Sequence, residues 1–369
     1  MICLAIETSC DDTSVSILEF EESSSFEHIV STTTVLSTIT SSQITTHAKY
    51  GGVIPELGAR LHTTNFQPVL SEALKIACEK INISQDNFWR QLDLIAVTNE
   101  PGLNSALKVG IEQAKALQYY INHNYNNNVA MIKVNHLKGH IASSFLENGK
   151  IVESPFPHLH LLVSGGNTQI LRLDSWHNST IIGKTVDDAV GECYDKTARM
   201  LGFKYPGGVS LARTADLERG NYIGLNKAMV KESLNTSFSG LKTQVRYITQ
   251  STQIEGFEYE RYLEQSEIED LINCNADQLN PKLKFIKQAC ISIQEVCTEQ
   301  LVRKIKNAIV SLEPKSLGLS GGVSANLLLR QEFSTLGYSL HKPHLKYTGD
   351  NAAMIGLAGI LDYLLKIKN

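Results

Sequence analysis

The sequence predicts an α/β protein of two duplicated lobes, each built on a mixed sheet, with a cleft between them. Three observations carry this. Short apolar segments of strand length alternate with amphipathic segments of helix length. The order β-β-β-α-β-α runs once up to Val134 and starts again at His158. Tight turns, two of them glycine-bearing, recur at strand ends of the two units.

In the first unit, "ICLAIET", "TSVSILEF" and "EHIVSTTTVLSTI" read as strands, with the acidic, serine-rich "EFEESSS" as a surface turn. "IPELGARLHTTNFQPVLSEALKIACEKI" is a helix with Pro55 near its start. "LDLIAVT" is a buried strand, "SALKVGIEQAKALQYYIN" an amphipathic helix, and "VAMIKV" the next strand. In the second unit, "HLHLLVSG", "NTQILRLD" and "STIIGKTV" are strands and "GECYDKTARMLG" a helix. After a long, mostly helical polar stretch come the strand "SLGLSGG", a helix from Ser324, and the strand "YSLHKP". The division expected is 1–148 for the first lobe, closed by a C-terminal helix over 352–369. The second lobe spans 149–351, with a polar helical insertion around 251–282 that reads as a solvated surface segment.

The composition is that of a globular protein: 369 residues, 42% hydrophobic and 20% charged. No apolar run approaches the roughly 20 residues of a membrane helix, and no membrane association is expected. No secretory or organellar signal is visible at the amino terminus. Seven scattered cysteines without a C-x-x-C pair predict reduced thiols and a cytoplasmic location, not a disulfide framework or a structural zinc site. The net charge of −4 lacks the basic excess of a protein that grips nucleic acid alone. If nucleic acid is the substrate, a local patch or a partner supplies that charge.

Three turns could hold phosphates through backbone N–H groups: "ETSCDDTS" (7–14), "VSGGNTQ" (163–169) and "GLSGGVSAN", with Gly321 and Gly322 between a strand and a helix. Each alone is also an ordinary turn. Neither G-x-G-x-x-G nor a P-loop is present, so dinucleotide and P-loop readings lose their support. "VDDAVGECYDKTAR" places Asp187, Asp188, Glu192 and Asp195 along one helical approach, and Gly207 and Gly208 make another tight turn. Asp195 reads either as a cleft group or as an exposed helix acid paired with Lys196 or Arg199.

"NHLKGH" sets His136 and His140 four apart on one helical face, near enough to share a metal ion or to be two ordinary histidines. The zinc-peptidase pattern needs glutamate after the first histidine, and Leu137 stands there. Asp350 is a candidate third ligand, or the N-cap of the final helix. Two imidazoles and one carboxylate with open positions suit iron(II) or another divalent ion.

Taken together, "AIETSCDDT", "GGVIPELGAR", "NHLKGH", "LLVSGGNTQ", "DDAVGECYDKTARMLG", "YPGG", "SFSGLKT", "GGVSAN" and "DNAAMIG" resemble, in order and spacing, the TsaD family. These are tRNA N6-adenosine threonylcarbamoyltransferases, once named O-sialoglycoprotein endopeptidases. The resemblance runs from residue 2 to about 360, leaving the serine-rich hairpin near 24 and the segment 251–282 foreign. It implies the actin-like ATPase fold, two duplicated lobes around a nucleotide cleft. The activity implied is transfer of threonylcarbamoyl from threonylcarbamoyl-adenylate to the N6 amine of the adenosine 3′ of the anticodon, in tRNAs reading codons that begin with A. By motif position, His136, His140 and Asp350 would bind one divalent metal per subunit, iron(II) by the family's habit, with zinc or magnesium as alternatives. Leu162, Val163, Ser164, Gly165, Gly166, Asp195, Gly208 and Asn326 would hold the adenylate. No catalytic side chain beyond the metal site is implied, and Cys10 and Cys193 read as packing residues. Implied partners are tRNA, a paralogous TsaB-type subunit and a TsaE-type P-loop ATPase.

Two departures stand out. Glu100 replaces the first glycine of the usual Gly-Pro-Gly-Leu, which predicts altered backbone angles there. Ala212 replaces an aspartate that touches ligand in some relatives. Leu162, where archaeal and eukaryotic relatives carry tyrosine, fits the bacterial branch. The alternative is a small-molecule kinase or ATPase of the same fold, which leaves both histidines unexplained.

Overall fold

The computed structural model describes residues 1–146, 153–226 and 233–365. The expected lobe boundary at 148/149 and the last residues of the expected closing helix, 366–369, lie outside the described residues. The first unit runs β1 (Ile2–Glu7), β2 (Asp12–Glu19), α1 (Phe26–Thr32), β3 (Thr34–Ser42), α2 (Ile44–His47), α3 (Pro55–Ile81), α4 (Gln85–Gln91), β4 (Leu92–Glu100), α5 (Asn104–Tyr125), β5 (Ala130–Asn135) and α6 (His136–Ser143). The second runs β6 (His158–Val163), β7 (Thr168–Leu173), β8 (Ser179–Lys184), α7 (Val190–Met200), α8 (Gly208–Ala215), α9 (Ser239–Ser251), α10 (Gln265–Asn273), α11 (Pro281–Leu312), β9 (Ser316–Ser320), α12 (Leu327–Ser334) and β10 (Ser339–His341). α13 (Ala352–Leu364) ends the described chain.

The two sheets repeat one topology. The first has the order β3-β2-β1-β4-β5 and the second β10-β9-β6-β7-β8, so β6 takes the place of β1 and β9 that of β4. Within each, the first three strands pair antiparallel and the remaining pairs are parallel. The central strands β1 and β6 are buried along their whole length, which is why both read as continuous apolar runs. Three apolar cores result. One lies between the first sheet and α3 and α5 (Leu4, Ile6, Phe66, Leu70, Val97). Another lies between the second sheet and α11 (Leu161, Val163, Ile291, Leu319). The third joins the lobes: Ala5, Ile141, Met354 and Leu357 share a core with Leu162, Leu171 and Trp176.

Two sequence expectations are corrected. Residues 27–39 are not one strand, because Ser25 caps a short helix, accepting from the His28 amide, and Phe26, Ile29 and Val30 bury one helical face. Residues 251–282 are not merely solvated, since Leu263 and Leu271 are buried in the second-lobe core. The altered backbone expected at Glu100 is present without positive φ: this exposed residue ends β4, the pairing with β5 shifts register between Thr98 and Glu100, and the Glu100–Pro101 bond is cis.

Candidate active site

α6 begins where it does because the Asn135 side chain caps it, accepting from the Leu137 and Lys138 amides at 3.0 and 3.2 Å. That start puts His136 and His140 on one face, their ring centroids 4.7 Å apart. Asp350 does not cap α13; Asn351 does, accepting from the Met354 amide at 3.0 Å. The Asp350 carboxylate is thereby left to the histidines, with Oδ1 3.5 Å from His136 Nε2 and 3.3 Å from His140 Nε2. One ligand atom from each of the three residues lies within 4.8 Å of the others. His140 is buried, and neither ring nitrogen has a hydrogen-bond partner; the short approach to Asp350 is not aligned as a bond. A buried imidazole so orphaned is costly. A divalent ion among three such ligands would engage Nε2 and remove its share of that cost, so the residues fit a metal.

Glu7 is the site residue that sequence reading missed. It is fully buried at the end of β1, accepts from Thr98 Oγ1 at 2.6 Å and from the Ser9 amide, and places Oε2 3.1 Å from His136 Nδ1. Ser9 Oγ lies 3.1 Å from the same nitrogen. With Nδ1 held there, Nε2 faces Asp350. Burial pulls the His136 pKa down, but Glu7 and Asp350 outweigh it and hold it up at about 9. Burial opposes ionisation of Asp350 too, and the two histidines bring it down to about 2. Asp12, mostly buried with Oδ1 unpartnered, is pushed up to about 7 by burial and by Asp11, Asp350 and Glu7, against a bond from Ser42. Burial, then Asp11 and Asp350, also push the Cys10 thiol up, which makes it a poor nucleophile.

The adenylate candidates fall into two groups. Leu162 and Val163 are the buried end of β6, and the turn after them closes through Ser164 N to Asn167 O at 2.8 Å. Gly165 and Gly166 are exposed, with open space around them. Gly321, at φ 89°, lies against the Val163 carbonyl and the Ser164 amide, where a Cβ would overlap. Gly191, in the first turn of α7, packs as tightly on Ser164 and Gly165. Two of the predicted glycine turns therefore meet, beside the start of a helix. Asp195 is not paired with Lys196 or Arg199: it accepts from the Gly208 amide at 2.7 Å. Burial raises its pKa, and the Gly208 and Gly207 amides partly offset this. Tyr205 sits in the fields of Asp11 and Asp195, and burial followed by these two charges pushes its hydroxyl up to about 12. The turn of the first lobe and α7 of the second thus share one neighbourhood. Asn326 has structural duties, capping α12 through the Leu329 amide at 3.0 Å and donating to Gln294 Oε1 at 2.6 Å.

The other acids of that approach are committed elsewhere. Asp187 accepts from the Phe238 and Ser239 amides at 2.8 and 3.2 Å and from the Ser239 hydroxyl at 2.7 Å, latching "SFSG" to the start of α7. Asp188 pairs with Lys242, and Glu192 with Lys196 at 2.6 Å.

The TsaD family model, described as tRNA N6-adenosine threonylcarbamoyltransferase, matches residues 34–357. A protein of that name from Carboxydothermus hydrogenoformans is 36% identical over 368 residues, 98% of this chain and 92% of its own. Another from Christiangramia forsetii is 35% identical over 367 residues, 98% of this chain and 93% of its own. Among solved structures, full-length HypF in its phosphate- and nucleotide-bound form matches with a TM-score of 0.52 and 12% identity, over all of this chain and 47% of HypF. That likeness shows the fold, the actin-like ATPase fold expected from sequence. Among the described residues, no helix is long and apolar enough to cross a membrane.

Proposed function

The chain belongs to the TsaD family of tRNA N6-adenosine threonylcarbamoyltransferases, and from that premise we propose how its residues serve the transfer. The donor is threonylcarbamoyl-adenylate, and the acceptor is the N6 amine of the adenosine 3′ of the anticodon in tRNAs reading codons that begin with A. His136, His140 and Asp350 hold one divalent metal, iron(II) as the family resemblance implies, with zinc or magnesium as alternatives; two imidazoles and one carboxylate suit such an ion. When bound, such an ion supplies Lewis-acid polarisation of the carbamoyl carbonyl and charge for the departing phosphate.

The chain's own groups do the rest. Glu7 and Ser9 hold Nδ1 of His136, so that Nε2 and its lone pair face the ligand position. In the turn that the Ser164 amide closes, the backbone N–H groups of Gly165 and Gly166, with Gly321 and Gly322 behind them, cradle the adenylate phosphate next to the start of α7. Asp195 and Gly208, already bonded, orient the nucleoside, with Leu162 and Val163 as its apolar floor and Asn326 at its edge. Orientation of a weak amine nucleophile supplies much of the rate, and no covalent protein intermediate is required.

The observation that carries this reading is the meeting of His136, His140 and Asp350 with His140 unsatisfied. We divide the chain at 148/149 into lobes, with the C-terminal helix closing the first. We assign it a TsaB-type paralogue and a TsaE-type ATPase as partners in the cytoplasm. The test is an assay with those partners, tRNA and threonylcarbamoyl-adenylate. Modified adenosine supports the reading. Full transfer by a His136→Ala, His140→Ala double variant overturns the metal role, and phosphoryl transfer to a small alcohol without those histidines favours the kinase alternative.

A further inference from the structure

On β6 and β9 of the second sheet, four polar side chains are buried: His158 and His160 at 0% exposure, Ser316 at 2% and Ser320 at 0%, with the rings of Phe145 and His341 beside His158. Parallel pairing puts His158 opposite Ser316, His160 opposite Gly318 and Leu162 opposite Ser320. Because side chains alternate along a strand, all four stand on one face.

Their hydrogen bonds form a chain of single sense. Ser316 Oγ donates its one proton to the Pro155 carbonyl at 2.7 Å. It must therefore accept at 2.7 Å from His158, which makes Nδ1 of that ring an N–H. No carboxylate belongs to the set and both rings are fully buried, so each is neutral and carries one proton. His158 Nε2 is then bare, and accepts at 3.1 Å from His160 Nδ1–H. His160 Nε2 is bare in turn, and accepts from the Ser320 hydroxyl at 2.7 Å. Both imidazoles are thereby held as the Nδ1–H tautomer, the less common one in water. Gly318 makes room for this, since a Cβ there would overlap His158 Nε2 and His160 Nδ1. Any larger residue at 318 would drive the two rings apart.

The ladder ends where the cradle begins. Ser320 is the last residue of β9 and the pairing partner of Leu162, and Gly321 next to it lies against Val163 and Ser164. We propose that the Ser316–His158–His160–Ser320 ladder is a positioning device for the anion cradle. It locks β9 against β6 at the rung from which both glycine turns depart, and it points the Ser320 proton into the sheet. This role rests on the adenylate reading of the cleft. Apolar side chains would fill the same volume without the desolvation cost of four polar groups. What they could not do is set a direction for Ser320 or tie the two strand ends together through side chains.

The test uses the full chain labelled with 15N-histidine, and AMP as the probe. In the wild type, nitrogen shifts show Nδ1 protonated and Nε2 bare on both His158 and His160. In Ser320→Ala, the shift of His160 Nε2 moves toward that of a free imine nitrogen. The same variant binds AMP about three- to tenfold more weakly by calorimetry, the effect of one lost hydrogen bond. A proton on Nε2 of either ring in the wild type overturns the ladder, and that measurement needs no variant to fold. Unchanged AMP affinity in Ser320→Ala overturns the positioning role alone. A wild type that binds no AMP overturns the adenylate reading and takes this role with it.

Discussion

Glu7 and His136 stand 129 residues apart in the chain and meet at 3.1 Å, a buried carboxylate oxygen against Nδ1 of a buried imidazole. The contact fixes which nitrogen of His136 faces His140 and Asp350. In metal sites, such outer partners govern ligand basicity and aim. Glu7→Gln should therefore weaken metal binding roughly 10- to 100-fold, measured by competition with a chromophoric chelator. Native affinity in that variant would show that Glu7 only fills space.

Metal binding should strengthen as pH rises. His136 without metal is held up at about 9, so at neutral pH it carries a proton that the metal must displace. The apparent association constant should climb close to tenfold per pH unit from pH 6.5 and flatten near pH 9. A flat profile across that interval would count against a protonated His136.

Metal-free protein should lose stability on both sides of neutrality. His158 and His160 have pKa values pushed below the ordinary 6.5 by burial, so the unfolded chain binds protons that the folded one refuses. Their contribution is intact above pH 6.5 and falls away below it, by about 1.4 kcal/mol per pH unit for each. His136 has the opposite sign: raised in the folded state, it contributes fully below 6.5 and is lost as pH climbs toward 9. Denaturant titrations at several pH values check both limbs. The acid slope should shrink in a His158→Leu, His160→Leu double variant.

Gly321→Ala should be damaging out of proportion to one methyl group. At φ 89° the alanine backbone is strained, and the new Cβ overlaps the Val163 carbonyl. A loss of at least about 2 kcal/mol is expected from strain and overlap together, along with AMP binding. Gly322→Ala, with open space around it, is the control and should change stability little.

Binding of tRNA by the isolated chain should be weak and steeply salt-dependent. A net charge of −4 leaves phosphate neutralisation to local groups and to a partner. Filter binding at two salt concentrations, with and without a TsaB-type paralogue, measures this. Tight binding by the lone chain at physiological salt would refute it.

Much of the fold was legible because its signals are local. Buried central strands read as apolar runs, helices carried their periodicity, and the duplicated order exposed two lobes. The miss at α1 has a local cause as well: a run of Thr, Val and Ile suggests strand, while the Ser25 cap and the spacing of Phe26, Ile29 and Val30 favour helix.

The sequence by itself determined the two-lobed α/β class, the helical spacing that sets His136 beside His140, and the glycines at the ends of β6 and β9. These rest on helix and strand periods, which neighbouring residues decide. Only the tertiary structure decided that Asn351 rather than Asp350 caps α13, that Glu7 backs His136, and that Asp195 turns to Gly208 instead of Lys196. It alone decided that His158 and His160 share protons with Ser316 and Ser320 across two strands. The choice of cap is local, with Asp350 and Asn351 both able to fill it, but the physical reason is common to the other three. A polar group's partner is chosen by distance and burial in the folded state, between residues whose separation along the chain carries no signal.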